Sequence, residues 1–386
     1  MFRTVTTLVI AALLTTTSGV AVAQANDQLT LRLPAPTGHH QIGTTALHLV
    51  DPTRKDPWND ATKRELMVSV FYPAKDVRGR QVAPQMTPRA AESFKAFAPR
   101  VHTQLPKDGV DWAATKTHSF VNAPAQTTRR PVVLYTPGGA EPRTLGTGIA
   151  EELASNGVVV VTIDHSGEAS EVDFPGGLRQ IDLPPDPAQF PQTMRTVIDT
   201  RFADTKFVLD QLEVLAAGRN PDADGKPLPQ NLGRALDLRK IGIYGHSVGG
   251  GTAAETMHED RRVDAAISME SYLSYYPAPA GQPLEQFPIA RDGTDRPLLV
   301  LSSDYWDADM QHDWAPLVEN RTARRIDWDN AQHYVFTDYA AMLPQLQRAG
   351  LMTAQGRQEL VGAIDPARSV PSVRKSIVDF FDCHLR

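Results

Sequence analysis

One stretch decides the fold of this chain: Ile241-Gly242-Ile243-Tyr244-Gly245-His246-Ser247-Val248-Gly249-Gly250-Gly251. The residues before Gly245 form a short apolar run, which is typical of a buried strand, and Gly250 onward opens a helix. A Gly-x-Ser-x-Gly motif between a strand and a helix predicts a sharp turn that exposes the serine hydroxyl above a sheet. Side chains at Gly245 and Gly249 would collide with the neighbouring strand and helix, so both positions require glycine.

From Pro131 onward, short apolar runs alternate with amphipathic segments of helical length. This alternation is the pattern of parallel strands joined by crossover helices. It predicts an α/β fold with a mostly parallel, doubly wound sheet, helices on both faces and a ligand site beyond the carboxyl ends of the strands. The predicted strands are 45–50, 66–72, 132–136, 158–163, 241–244, 265–269, 298–302 and 325–328, and the clearest helices are 147–154 and 194–216.

Composition fits a single elaborated domain over residues 26–386. The chain has 386 residues, of which 41% are hydrophobic and 22% charged, and its net charge of −6 includes no basic run, which excludes nucleic acid as a partner. Cys383 is the only cysteine, so no disulfide framework is available, and we predict that it packs within a terminal helix. Residues 83–123 and 171–190 are predicted to be insertions near the active-site entrance, the second of them a loop.

The first 25 residues have the pattern of a signal peptide. Arg3 supplies a positive start, residues 8–14 are apolar but too short to span a bilayer, and small residues follow at Ala21-Val22-Ala23 and Ala23-Gln24-Ala25. Cleavage near Gln24 or Asn26 would release the mature protein. The sequence therefore predicts a secreted or periplasmic protein.

The serine in its glycine turn is a candidate nucleophile. Acyl transfer by Ser247 needs two backbone donors for the oxygen of the tetrahedral intermediate. One is the amide after the nucleophile, that of Val248, and the other comes from the loop after an earlier strand. The strand at 132–136 runs into Pro137-Gly138-Gly139-Ala140, and we assign the second donor to Gly139.

A serine nucleophile also requires a histidine base, which follows it in chain order in this kind of fold. Four histidines come after Ser247. His258 lies about three helical turns beyond the motif, and His384 is in the terminal helix. His312 is a possible base, but His333 fits best, since it lies in a turn-rich loop after the last predicted strand.

Two carboxylates compete to orient the base. Glu270 ends the strand at 265–269, and Asp304 follows the strand at 298–302 with only Ser303 between. Both positions reach the edge of the sheet where Ser247 lies. The sequence pattern alone slightly favours Asp304.

The chain resembles the secreted platelet-activating factor acetylhydrolase family, a lipase-like branch of the α/β hydrolases, from about Pro34 to the last helix. The resemblance implies that the acid is at the end of the strand after the nucleophile helix, which is Glu270 here, although the family usually has aspartate there and often has histidine where Pro137 stands. The motifs that carry the resemblance are Gly43-Thr44-Thr45, Arg64-Glu65-Leu66-Met67-Val68, Tyr72-Pro73, Gly138 through Thr144, Phe207 through Leu212, Gly245 through Gly250, His333 and Phe336-Thr337-Asp338.

The resemblance implies a carboxylic-ester hydrolase, an esterase or lipase, with short-acyl phospholipids among its possible substrates. Its acyl-enzyme would form on Ser247, and neither a metal nor a cofactor is expected. The expected partner is a small-molecule or lipid ester, with transient contact to a lipid surface and no obligate protein partner. The alternatives are an acyltransferase with the same triad and a non-catalytic binding protein on the hydrolase fold.

Overall fold

The structure, a computed structural model, describes residues 28–183 and 186–385. The predicted signal peptide lies outside the described residues. The strands, in chain order, are β1 (Ile42–Asp56), β2 (Asn59–Pro73), β3 (Val82–Pro84), β4 (Lys116–Val121), β5 (Arg130–Thr136), β6 (Val159–Asp164), β7 (Glu171–Phe174), β8 (Gly177–Gln180), β9 (Leu236–His246), β10 (Ala265–Met269), β11 (Leu298–Ser303) and β12 (Arg324–Trp328).

Within the described ranges, ten of these strands form one mixed sheet in the order β12-β11-β10-β9-β5-β6-β2-β1-β4-β3, and β7 pairs with β8 in a separate hairpin. The six strands from β12 to β6 are mutually parallel. β2 adds to β6 in the antiparallel direction and forms a long hairpin with β1. The predicted α/β class with a mostly parallel sheet is confirmed.

Helices cover both faces of the sheet, as predicted. The helices are α1 (Pro88–Val101), α2 (Thr147–Ser155), α3 (Phe190–Ala216), α4 (Val248–Glu259), α5 (Pro288–Asp292), α6 (Ala308–Glu319), α7 (Tyr339–Arg348), α8 (Ala354–Val361) and α9 (Pro366–Leu385). One core lies between the sheet and α3, α4 and α6, where Leu209, Met257 and Trp314 are buried. The second core lies on the other face, where Leu153 of α2 and Phe381 of α9 are buried.

The register of the parallel strands brings their carboxyl ends together. Thr136 of β5 lies beside Gly245 of β9, and His246 lies beside Met269 of β10. β11 continues the edge, since Met269 pairs with Leu301. The loops that follow β5, β9, β10 and β11 therefore leave the sheet side by side, which is where this architecture places a ligand site.

Several local predictions differ from the structure. The hairpin of β1 and β2 is longer than predicted, because Asp51-Pro52 lies inside β1 at a register shift instead of ending it. Asp51 stabilises that irregularity by accepting hydrogen bonds from the amide of Thr53 (2.9 Å) and from Nε of Arg54 (2.6 Å). The start of the predicted 171–190 loop is the β7–β8 hairpin.

Cys383 lies in the terminal helix, as predicted, but the prediction that it packs there is wrong. Its side chain is exposed on α9, because the buried stripe of that helix contains Val373, Ile377 and Phe381 instead. None of the helices in the described ranges combines the length and the apolar character needed to cross a bilayer.

Candidate active site

Ser247 occupies a strained turn between β9 and α4. Its φ of 53° and ψ of −133° lie where residues with a side chain are rarely found. The Ser247 amide donates a hydrogen bond to the Met269 carbonyl (2.9 Å), and the Ser247 carbonyl accepts from the Gly250 amide (2.7 Å). A Cβ added at Gly245 would lie 2.0 Å from the Gly249 oxygen, and one at Gly249 would lie 2.1 Å from the Thr136 oxygen. The turn therefore requires both glycines, as predicted.

Glu270 is the carboxylate that the structure places beside His333. It directly follows β10, is completely buried and also has a positive φ, 54°. Its Oε1 accepts from the Ser303 amide (2.8 Å) and its Oε2 from the Ser303 hydroxyl (2.6 Å). Oε2 lies 3.7 Å from Nδ1 of His333. The alternative acid, Asp304, is exposed to solvent, and its amide donates to the carbonyl of Ala331 (3.2 Å).

His333 begins a short 3₁₀ turn, His333–Phe336, in the loop after β12. The ring of Tyr305 and the ring of His246 each lie with their centroids 4.5 Å from that of His333. Burial of the imidazole, followed by repulsion from His246, lowers the pKa of His333. The neutral imidazole, which is the form that accepts a proton, is thereby favoured.

The other histidines of the C-terminal half have different surroundings. His312 is exposed on α6, and His384 is exposed on α9, where its ring packs on Phe380. Nε2 of His258 on α4 lies 3.6 Å from the Asp292 carboxylate. Of the four histidines after Ser247, the one that the structure brings to Glu270 is His333.

Residues 137–142 form a loop after β5, here called the candidate oxyanion loop. Arg201 of α3, almost fully buried, donates from Nη1 to the Pro137 carbonyl (2.5 Å) and from Nη2 to the Gly138 carbonyl (2.9 Å). Ala140 has a φ of 58°, a further strained position at this edge. A Cβ added at Gly139 would lie 3.7 Å from Cγ1 of Val248, so the loop abuts the start of α4. Val248 is the first residue of α4, whose amide has no acceptor within the helix.

Three residues at this edge were missed by the sequence analysis. His246, in a variable position of the serine motif, is completely buried, and its Nδ1 lies 2.9 Å from Oε1 of Glu141. Its Nε2 lies 2.9 Å from the His333 carbonyl. Glu141 lies within residues 138–144, one of the motifs that carry the family resemblance, but that motif assigns it no role. Arg201 lies in the long helix α3, and no sequence motif marks it as a functional residue.

Among the described residues, no group of histidine, cysteine, aspartate or glutamate side chains is arranged to hold a metal ion.

Comparison with known proteins places the chain in a family. The sequence profile described as "Platelet-activating factor acetylhydrolase, isoform II" matches residues 25–174 and 195–386. The chain belongs to this family. The predicted resemblance is therefore confirmed over nearly the whole sequence.

Individual members of the platelet-activating factor acetylhydrolase family and one solved esterase are also similar. A probable 1-alkyl-2-acetylglycerophosphocholine esterase from Arthroderma benhamiae is 26% identical over 375 residues, which cover 92% of this chain and 88% of the relative. The platelet-activating factor acetylhydrolase of Cavia porcellus is 23% identical over 50% of this chain and 45% of its own length.

The solved structure is that of a ferulic acid esterase from Streptomyces cinnamoneus. It is 30% identical, with a TM-score of 0.69, and the similarity covers 93% of this chain and 94% of that one. The fold is accordingly that of the α/β hydrolases, and the chain is a carboxylic ester hydrolase of the platelet-activating factor acetylhydrolase family.

Proposed function

We propose that this chain is a secreted serine esterase that forms an acyl-enzyme on Ser247, with His333 as general base and Glu270 as the acid that orients it. One observation carries the proposal: the three residues are connected through their direct neighbours. The Ser247 amide bonds to Met269, next to Glu270; Glu270 faces His333; and the His333 carbonyl lies 2.9 Å from Nε2 of His246, next to Ser247.

Acylation follows from these positions. Nε2 of His333 takes the proton of the Ser247 hydroxyl as the oxygen attacks the ester carbonyl. The carbonyl oxygen becomes negatively charged and accepts hydrogen bonds from the amides of Gly139 and Val248. The Glu270 carboxylate stabilises the resulting imidazolium at Nδ1. When the tetrahedral intermediate collapses, the C–O bond to the alcohol breaks and His333 returns its proton to the leaving oxygen.

Deacylation repeats the same steps with water. His333 removes a proton from a water molecule, which attacks the acyl carbon, and the two amides again stabilise the oxyanion. Collapse releases the carboxylic acid and returns the proton to Ser247. An acyltransferase would use the same groups with an alcohol in place of water.

The surface beside His333 favours an aromatic ester as substrate. The Tyr305 ring contacts His333 and is 46% exposed. Nearby, the rings of Tyr272 and Tyr276 are stacked in parallel with centroids 4.0 Å apart, and Tyr276 is also exposed. Exposed rings of this kind provide a stacking surface for a flat acyl group. The similarity to a ferulic acid esterase supports hydroxycinnamate esters as a second candidate class besides short-acyl phospholipids.

Export is part of the proposal and depends on the leader pattern of residues 1–25. Expression of the full chain in a bacterial host, followed by N-terminal sequencing of the periplasmic or extracellular product, tests it. We expect a mature start at Gln24 or Asn26. Full-length protein retained in the cytoplasm would contradict export without affecting the esterase proposal.

The activity is tested with p-nitrophenyl esters of increasing acyl length, methyl ferulate and a short-acyl phospholipid. We expect hydrolysis of short esters and methyl ferulate, and its loss in Ser247→Ala. Product analysis with an added alcohol separates the hydrolase from the acyltransferase, since the latter would yield a new ester. Absence of turnover on the whole panel would contradict the proposal.

A further inference from the structure

We propose that His246 is a permanently protonated positioning residue, which ties the candidate oxyanion loop to the loop of the base and keeps His333 in its neutral, proton-accepting form. This inference rests on the proposed function of Ser247 and His333. The motif position of His246 is variable in the Gly-x-Ser-x-Gly pattern, so the pattern itself assigns it no role.

The hydrogen-bond partners of His246 fix its protonation state. Nδ1 lies 2.9 and 3.1 Å from the two carboxylate oxygens of Glu141, and Nε2 lies 2.9 Å from the backbone carbonyl of His333. A backbone carbonyl and an ionised carboxylate can only accept, so both ring nitrogens of His246 must donate. A histidine that donates from both nitrogens is an imidazolium.

The buried pair has the electrostatics of an ion pair. Burial opposes the charge of His246, but the attraction and hydrogen bonds of Glu141 outweigh it and raise the pKa of His246. For Glu141, burial likewise opposes ionisation, and the charge of His246 together with hydrogen bonds lowers its pKa. Both directions agree with a charged pair, which is the state that the donors and acceptors require.

The pair connects the two loops that the reaction needs. Oε2 of Glu141 accepts from the Gly138 amide (2.9 Å), so the carboxylate holds the candidate oxyanion loop next to Gly139. Through His246, the same carboxylate is linked to the carbonyl of His333. A displacement of either loop would break a hydrogen bond to a buried charge, which is strongly unfavourable.

The charge of His246 also acts on the base. Four titratable side chains interact electrostatically with His333: His246 of β9, Glu270 after β10, Glu141 of the candidate oxyanion loop and His102 after α1. The phenol rings of Tyr305 and Tyr334 pack against the His333 ring. Glu270 and Glu141 favour protonation of His333, whereas burial and His246 oppose it. Burial lowers the pKa of His102 and so favours its neutral form, whereas His246 is the cation that opposes protonation of His333.

The test compares the pH dependence of kcat/KM in three variants. His246→Gln removes the cation and leaves both carboxylates, so we expect the acid limb to move upward by about one pH unit. Glu141→Gln removes the carboxylate that stabilises the positive charge of His246. The acid limb should therefore also move upward, but by less than in His246→Gln. His258→Gln is the matched control on α4, and its limb stays at the wild-type pH.

A folded His246→Gln enzyme whose acid limb coincides with that of the wild type would overturn the proposal. Lower activity without a shifted limb would show a merely structural role and would overturn it as well. If the wild-type enzyme hydrolysed none of the esters, the proposed function itself would be contradicted. The pH comparison presupposes that function.

A second measurement does not depend on turnover. Nitrogen NMR of the wild-type protein, labelled in its histidines, distinguishes imidazolium from neutral imidazole. We expect one buried histidine, His246, to be protonated on both nitrogens at pH 8 and another, His333, to be neutral; the spectrum of His333→Gln assigns the second signal. A spectrum at pH 8 in which no histidine is doubly protonated would overturn the proposal.

Discussion

Oε2 of Glu270 lies 3.7 Å from Nδ1 of His333, while both carboxylate oxygens of Glu270 accept hydrogen bonds from Ser303. Ser303, the last residue of β11, thus fixes the Glu270 carboxylate independently of its contact with His333. A contact of 3.7 Å is longer than a hydrogen bond, and such contacts shorten when the histidine gains its proton in the reaction. Ser303, which directly precedes the alternative acid Asp304 in the sequence, holds Glu270 toward His333.

This arrangement predicts different outcomes at the two candidate acids. Glu270→Gln should lower kcat on the order of 10³- to 10⁴-fold, because the amide no longer stabilises the imidazolium of His333. Asp304→Asn should change kcat by less than about twofold, since Asp304 is exposed. Steady-state kinetics on a p-nitrophenyl ester measure both. The reverse ranking would assign the acid to Asp304.

Arg201 should affect catalysis without touching the substrate. Arg201→Gln removes the buried donors to the carbonyls of Pro137 and Gly138, which orient the peptide before the Gly139 amide. We expect kcat to fall on the order of 10- to 100-fold, with KM changed much less, because the loss of one oxyanion donor has an effect of this size or larger.

The control for this prediction is Arg239→Gln, since Arg239 is 77% exposed and pairs with Asp237 on β9. Circular dichroism at the assay temperature confirms that Arg201→Gln is folded. A folded variant with wild-type kcat would show that the loop keeps its position without Arg201.

The glycine turn predicts a large steric effect at one position. Gly249→Ala should abolish activity and lower the free energy of unfolding by several kcal/mol, since its Cβ would lie 2.1 Å from the Thr136 oxygen and 2.4 Å from the Pro137 oxygen. Gly176→Ala is the matched control, because a Cβ there has open space. Chemical denaturation and esterase assays compare the two. Equal stability of the variants would contradict the strained-turn geometry.

How much was predictable depends on the kind of signal. The buried parallel strands could be predicted, because they are short apolar runs. The serine turn could be predicted from the fixed spacing of Gly245, Ser247 and Gly249. β10 was predicted with its observed bounds, Ala265–Met269. The β7–β8 hairpin was taken for a loop, because four-residue strands around Gly176-Gly177 have no clear alternation.

The site divides in the same way. Ser247 and His333 follow from local patterns, and the structure brings His333 to Glu270. The preference for Glu270 over Asp304 came only from the family resemblance, since both follow strands and the distinction depends on side-chain direction. The contacts of Arg201 with Pro137 and Gly138 join residues more than sixty positions apart, a separation at which a single sequence carries no signal.

A buried carboxyl predicts a pH-dependent stability. Glu171 is 2% exposed, and burial raises its pKa to about 8. A raised pKa means stability that is present below the unfolded value of 4.5 and is lost as the pH rises through 8. Glu171→Gln lacks this loss, so the free energy of unfolding of the variant should gain on the order of 4 kcal/mol relative to that of the wild type between pH 5 and pH 9.

Thermal or chemical unfolding at the two pH values measures that gain. The same substitution at Glu92, exposed on α1, is the matched control. If the difference in the free energy of unfolding between Glu171→Gln and wild type were the same at pH 5 and at pH 9, Glu171 would not titrate in this range.

In the proposed mechanism, Ser247 carries the acyl group. Reaction with a fluorophosphonate ester, followed by intact-mass and peptide-mapping mass spectrometry, tests it most directly, since the probe captures a nucleophile that a base has activated. We predict one adduct per chain, located on Ser247, absent in Ser247→Ala and greatly slowed in His333→Gln. Stoichiometric labelling of another residue, or equal labelling of wild type and Ser247→Ala, would contradict an acyl-enzyme on Ser247.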